Sequence, residues 1–180
     1  MQSKAIWYVE ENKYNRLIDT ISSVLVLIVV YVLAIHCFQV AVVPSGSMEP
    51  TLQVREVCLV LYTDDAKRGD IITFVPPHDP STLYVKRLIA VGGDSVAVHD
   101  GTVFVNGKAL DEPYIKEPPE YELDEFYVPE GNYFVLGDNR NNSADSHVIG
   151  FIPAENLVGH VLVHTDLLSK LYSKREAPVL

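Results

Sequence analysis

The chain has 180 residues, a net charge of −10 and two cysteines. Residues 1–40 balance Lys4, Lys13 and Arg16 against Glu10, Glu11 and Asp19, so the excess acid lies wholly in 41–180. That argues against nucleic acid, which needs clustered Lys and Arg, and against tight electrostatic docking on anionic lipid. Cys37 falls in an apolar run and Cys58 in a predicted strand, so no disulfide is expected and both read as packing residues.

Residues 1–16 are polar and read as an N-terminal tail. Residues 17–43 are nearly all apolar, and 24–35 carry no charge. A helix of about 20 residues crosses roughly 30 Å of hydrocarbon, so 17–43 is predicted to be a transmembrane anchor. A core helix this apolar on all sides would need a larger domain around it. A signal peptide would need a small-x-small cleavage site, and residues 35–40 offer none. The cations Lys4, Lys13 and Arg16 precede the span and the next is Arg55, which predicts the N-terminus inside and the domain outside. Beyond the span lie roughly 140 residues, enough for one sizeable core.

Residues 44–52 read Pro-Ser-Gly-Ser-Met-Glu-Pro-Thr-Leu. Two prolines, a glycine and two serines favour a shaped loop over helix or strand. After it the period changes to two. Strands are predicted over 54–61, 70–75, 83–91, 95–99, 102–105, 133–136 and 157–163. Asp100-Gly101 and Asn106-Gly107 are hairpin-turn dipeptides. Residues 111–130, with eight acids and four prolines, read as an irregular exposed excursion, and 141–150 as a polar loop. Residues 167–180 suggest a short helix and a tail. The expected architecture is an all-β, antiparallel domain of barrel or sandwich type over 44–166.

Three segments carry chemical potential. Ser47 lies in the loop, where a lone serine is usually only a turn former. Lys86 shares a largely apolar strand face with Tyr84, Leu88 and Ala90, where a lysine is uncommon. It reads either as an edge lysine that deters sheet pairing or as a desolvated amine able to take a serine proton. Arg87 would face the other way and stay charged. The third segment, 137–147, reads either as an Asx-rich turn or as a source of short polar groups, Ser143 and Asp145, to orient Lys86. Its Asp-x-Asn spacing does not complete a calcium loop. His160 and His164 share a strand face but lie about 13 Å apart, too far for one ion. No metal site is expected.

Together these segments resemble the type I signal peptidase family, the bacterial leader peptidases that are membrane-bound Ser/Lys proteases. Residues 44–52 resemble the nucleophile box with Ser47 at its centre. Tyr84-Val85-Lys86-Arg87, running to Gly93-Asp94, resembles the box of the general-base lysine. Gly137-Asp138-Asn139-Arg140, running to Asp145-Ser146, resembles the late box. The resemblance covers roughly 40–160 and is closest to the compact Gram-positive form. It implies a serine endopeptidase that removes N-terminal signal peptides from secreted preproteins after small residues, at Ala-x-Ala type sites. It implies Ser47 as nucleophile, Lys86 as base, Ser45 and the Ser47 N–H as oxyanion donors, and Ser143 and Asp145 as orienting groups. Arg87 and His147 are the candidate supporting residues; His147 stands where the family usually has arginine. No cofactor is implied. The expected setting is a monomer, single-pass in the cell membrane, with the domain on the extracytoplasmic face. The rival reading is an inactive membrane-tethered β-domain that binds a secreted partner. A soluble self-cleaving repressor would share the chemistry but not the span.

Overall fold

The computed structural model describes the backbone of residues 2–165 and the side chains of 14–162. It comprises two units, one ending at Phe38 and one starting at Gln39. The predicted C-terminal helix over 167–180 lies outside the described residues.

The first unit is one helix, α1 (Gln2–Cys37). Its segment Tyr14–Cys37 is 24 residues long and contains an 18-residue stretch of mean hydropathy 2.5, long and apolar enough to cross a membrane. Its polar side chains bond within the helix. Thr20 Oγ1 donates to Arg16 O, Ser23 Oγ donates to Asp19 O, and His36 Nδ1 bonds Val32 O. Such bonds satisfy the Thr20 and Ser23 hydroxyls within the helix, as an apolar surrounding requires. The apolar run does not stay helical to residue 43. Its last part, Phe38–Val42, is strand β1, where side chains alternate in exposure. Alternation and β-branched residues decide this stretch, and Pro44 ends the strand.

The second unit holds two sheets. The larger has the order β1, β2 (Val57–Tyr62), β11 (Leu157–Thr165), β3 (Ile71–Phe74), β4 (Tyr84–Val91), β9 (Asn132–Leu136) and β10 (Ile152–Pro153). The smaller has the order β7 (Lys108–Ala109), β6 (Thr102–Val105), β5 (Ser95–His99) and β8 (Leu123–Tyr127). The described ladders from β2 to β10 and throughout the smaller sheet are antiparallel. The all-β expectation holds. Both predicted hairpin turns form, with positive φ at Asp100, Gly101, Asn106 and Gly107, as tight two-residue turns require. β2 begins three residues later than predicted because Arg55 has φ 70°, which turns the chain before the strand starts.

Strand β4 is the hub. Ile89 and Ala90 join Val96, Val98, Val103 and Phe134 in one buried cluster. Leu88 joins Ile72, Phe74, Val135 and Ile152 in another. A strand covered on both faces excludes water from whatever it carries at its centre. A third cluster, Val43, Met48, Leu52 and Cys58, anchors the serine loop from below.

Two regions differ from expectation. Residues 111–130 are not simply an exposed excursion. They include β8, and Tyr121, Leu123 and Phe126 pack against the first cluster. A register shift between Val96 and Val98 breaks the alternation that would have marked the strand. Residues 141–150 include a one-turn helix, α2 (Ser146–Ile149), capped by Asp145.

Glu112 makes the tightest side-chain tie from this region. Its carboxylate takes two bonds from Arg140, at 2.7 and 2.8 Å, with the two side chains 6% and 0% exposed. A buried guanidinium without its partner is strongly destabilising. Glu112→Ala is expected to cost about 3–5 kcal/mol in denaturant unfolding, and Glu112→Leu with Arg140→Met to cost much less than the two single changes added together.

Candidate active site

Pro44 ends β1, and the chain then forms a short 3₁₀ turn, Gly46–Met48. Met48 and Leu52 are fully buried beneath it and fix its depth. Ser47 is thereby held still, with its carbonyl accepting from Asn139 N–H at 3.1 Å. The Asn139 side chain also donates to Gly46 O at 3.0 Å, so the late loop grips the serine turn twice. Gly137 permits this approach. A methyl group on it would collide with Ser47 O and Ser143 Oγ.

Lys86 reaches the same point from β4. Its Nζ donates to Ser47 Oγ at 2.7 Å and to Val85 O at 2.9 Å. Lys86 is only 4% exposed. Burial lowers its pKa from the ordinary 10.5 to about 8, against the opposing pull of the Asp145 and Asp138 carboxylates. Roughly a tenth of the amine is then neutral at pH 7 and nearly all of it at pH 9. The desolvated-amine reading of Lys86 therefore holds, and the edge-lysine reading does not, because β4 is an inner strand.

Arg87 faces the opposite side of β4, as predicted. It bonds Asp138 through Nε at 2.8 Å and Nη2 at 2.7 Å, and Gly69 O through Nη1 at 2.8 Å. Its guanidinium lies 3.8 Å from the centre of the Tyr114 ring. Asp138 also accepts from Thr51 Oγ1, four residues beyond Ser47. Arg87 and Asp138 thus tie the lysine strand to the serine loop without touching the reacting atoms.

The remaining predicted residues fall close by. Ser45 Oγ lies 3.4 Å from Ser47 Oγ. Ser143 Oγ is buried against Gly137 and makes no hydrogen bond among the described residues. Asp145 accepts the Gly137 N–H at 2.7 Å and faces His147 Nδ1 at 2.6 Å. Sequence reasoning missed Asp138, Glu112 and Tyr121. The signal was available for the first, since a buried Arg87 on an inner strand requires an acid. Among the described residues no group of three or more His, Cys, Asp or Glu could hold a metal ion.

One pocket is lined by the pair, and a second shares part of its wall. The first, of about 240 Å³, is lined by Ser45, Ser47, Lys86 and Ala144. The other, of about 220 Å³, is lined by Val43, Cys58, Thr73 and Val161. Pro44, Leu83, Tyr84 and Val85 line both.

The class so defined is a β-rich domain with a buried serine–lysine pair, in a chain whose first helix is apolar enough to cross a membrane. A family model for signal peptidase, peptidase S26, matches residues 17–165. The chain is 46% identical over 133 residues to a probable signal peptidase I-2 from Synechocystis sp., a match of 67% of this chain and 60% of that protein's length. It is 37% identical over 166 residues to signal peptidase I P from Bacillus subtilis subsp. natto, covering 83% of this chain and 89% of that one. A crystal structure of a signal peptidase I from Enterococcus faecalis V583 aligns with a TM-score of 0.50 at 34% identity, over 55% of this chain and 97% of the other. The chain belongs to the signal peptidase family, peptidase S26.

The lysine makes stability depend on pH. Below pH 8 both folded and unfolded forms carry the ammonium, and the folded form bears the full cost of burying it. Between pH 8 and 10.5 the unfolded chain binds more protons, so stability rises with pH. Relative to Lys86→Met, the wild type is expected to gain about 3 kcal/mol between pH 7 and 10.5, read from denaturant unfolding at each pH.

Proposed function

We propose that this chain is a membrane-anchored serine endopeptidase that removes N-terminal signal peptides from preproteins. The carrying observation is the 2.7 Å contact between Ser47 Oγ and a buried Lys86 whose pKa burial lowers to about 8. Ser47 Oγ attacks the scissile carbonyl and its proton passes to the neutral Lys86 amine. The resulting ammonium protonates the leaving nitrogen, the C–N bond breaks, and an ester to Ser47 remains. Lys86, neutral again, takes a proton from water, whose oxygen attacks the ester carbon; the ester C–O bond then breaks and the ammonium returns its proton to Ser47 Oγ.

The developing oxyanion would be met by the Ser47 N–H and the Ser45 hydroxyl. Losing one such donor costs about 3 kcal/mol of barrier. The unpaired Ser143 hydroxyl is available to the amine when the serine proton moves. Two pockets that share Pro44, Tyr84 and Val85 suit an extended segment, because alternate side chains point the same way. The residues first and third before the cut would enter them, which supports an Ala-x-Ala preference. The apolar segment Tyr14–Cys37 supports a single-pass anchor, with the domain on the extracytoplasmic side by the distribution of Lys and Arg before it.

Purified full-length protein, in detergent or liposomes, is expected to cut a preprotein after the last Ala of an Ala-x-Ala site. Ser47→Ala and Lys86→Ala should each abolish cleavage. Wild-type kcat/KM should rise with pH through about 8, following loss of the amine proton. Well-folded wild type that cuts nothing, or either variant at full rate, sinks this reading and favours a tethered binding domain.

A further inference from the structure

His147 lies flat on Tyr121, with ring centroids 4.1 Å apart and planes 3° from parallel. Its Nδ1 is 2.6 Å from Asp145 Oδ1, and its backbone N–H donates to the same oxygen at 3.3 Å. The other carboxylate oxygen accepts the Gly137 N–H at 2.7 Å. Gly137 packs directly on the Ser47 carbonyl. Contacts therefore run unbroken from the imidazole to the backbone of the nucleophile. Asp145 is fully buried, and among the described residues His147 is the only side chain that bonds it.

The surroundings of His147 supply few other charges. Tyr121 comes from the segment before β8, and burial pushes its hydroxyl up, so it stays neutral. Arg140 and Glu112, whose charges reach Tyr121, are paired with each other. Leu123, Phe126 and Phe151 complete an apolar pocket of about 160 Å³ beside the imidazole. Asp145 is the charged side chain that His147 contacts.

We propose that His147 is a positioning residue for Ser47 and Lys86. Its Nδ1–H fixes the Asp145 carboxylate, which fixes Gly137 against Ser47, and the charge carried at position 147 sets how much of the Asp145 field reaches the Lys86 amine. This rests on the serine–lysine chemistry proposed above.

A neutral imidazole protonated at Nδ1 donates the same bond as an imidazolium, so the geometry is held in both states. The electrostatics differ. Asp145 is the first of the two carboxylates that favour the Lys86 ammonium. A neutral imidazole leaves that charge in force; a cation at position 147 cancels it. With the carboxylate cancelled, burial acts on the amine with less opposition, and the neutral base forms at lower pH.

The test measures kcat and KM from pH 6 to 10 on a preprotein with an Ala-x-Ala site, using full-length protein and thermal unfolding of every variant. Variants are His147→Leu, His147→Asn and His147→Arg, with Ser47→Ala as control. His147→Leu keeps an apolar contact for Tyr121 but has no donor. It is expected to lower kcat by about tenfold to a hundredfold with KM little changed, as a displaced reacting group does. His147→Asn restores a short N–H donor and should recover most of kcat. His147→Arg should keep activity and move the rising limb of the profile to lower pH, by up to about 1 unit. Wild-type kcat in folded His147→Leu, or an unmoved limb in His147→Arg, overturns the proposal. Should His147→Leu fail to fold, the His147→Arg limb alone decides. A wild type with no activity above Ser47→Ala overturns the serine–lysine reading itself.

Discussion

Everything at the site depends on keeping the Lys86 amine out of water. In solvent an ammonium holds its proton to pH ~10.4, too strongly for a base near neutrality. Burial in β4, between β3 and β9, supplies the opposing force. That force would be defeated if free carboxylates stood nearby, since each one favours the charged amine. The two that do, Asp138 and Asp145, are each given other donors. Asp138 takes Arg87 and Thr51; Asp145 takes the Gly137 and His147 N–H groups. The acids serve as fasteners for the loops around Ser47, and their pull on the lysine is limited by what they hold.

Adjacent cations on β4 show why lysine and arginine are not exchangeable here. In the proposed chemistry Lys86 must be able to lose its proton, and a compact amine in a dry site does so. Arg87, one residue on, faces the other side of the strand and must never lose its charge, because Asp138 would be left buried and unpaired. Its planar fork also meets both carboxylate oxygens at once, which a lysine cannot do. Swapping the two would put a permanent charge against Ser47 and a removable one against Asp138. Arg140 with Glu112 repeats the second arrangement two residues further along the late loop. Such pairs add little net stability, but they fix which segments meet.

Much of this was legible in the sequence. Period-two alternation, Asp-Gly and Asn-Gly turns and an apolar N-terminal run determine the all-β domain and the helix before it. The Ser47 loop could be read because Pro44 and Pro50 bracket residues that suit neither helix nor strand. Alternation on β4 separated Lys86 from Arg87 onto opposite faces before any coordinates. The illegible parts share one cause: they depend on long-range contacts in segments without periodicity. Glu112 sits among exposed acids, and nothing local distinguishes it from Glu117 or Glu120; only the position of Arg140 does. β8 was hidden by a register shift opposite β5. The apolar run looked uniform to residue 43, yet Phe38–Val42 form a strand, since hydropathy alone does not separate a buried helix from a sheet edge.

The net charge of −10 bears little on the working pH of the site. Exposed acids such as Glu117, Glu120 and Glu125 face solvent. At physiological ionic strength their fields decay over about 8 Å. Asp138 and Asp145 act through protein interior, where screening is weak and distance is short. The amine is therefore governed by its own burial and by two named carboxylates. Surface acids can accumulate for solubility without moving it. A change of one buried neighbour, at 138 or 145, reaches the amine where a whole face of surface charge does not.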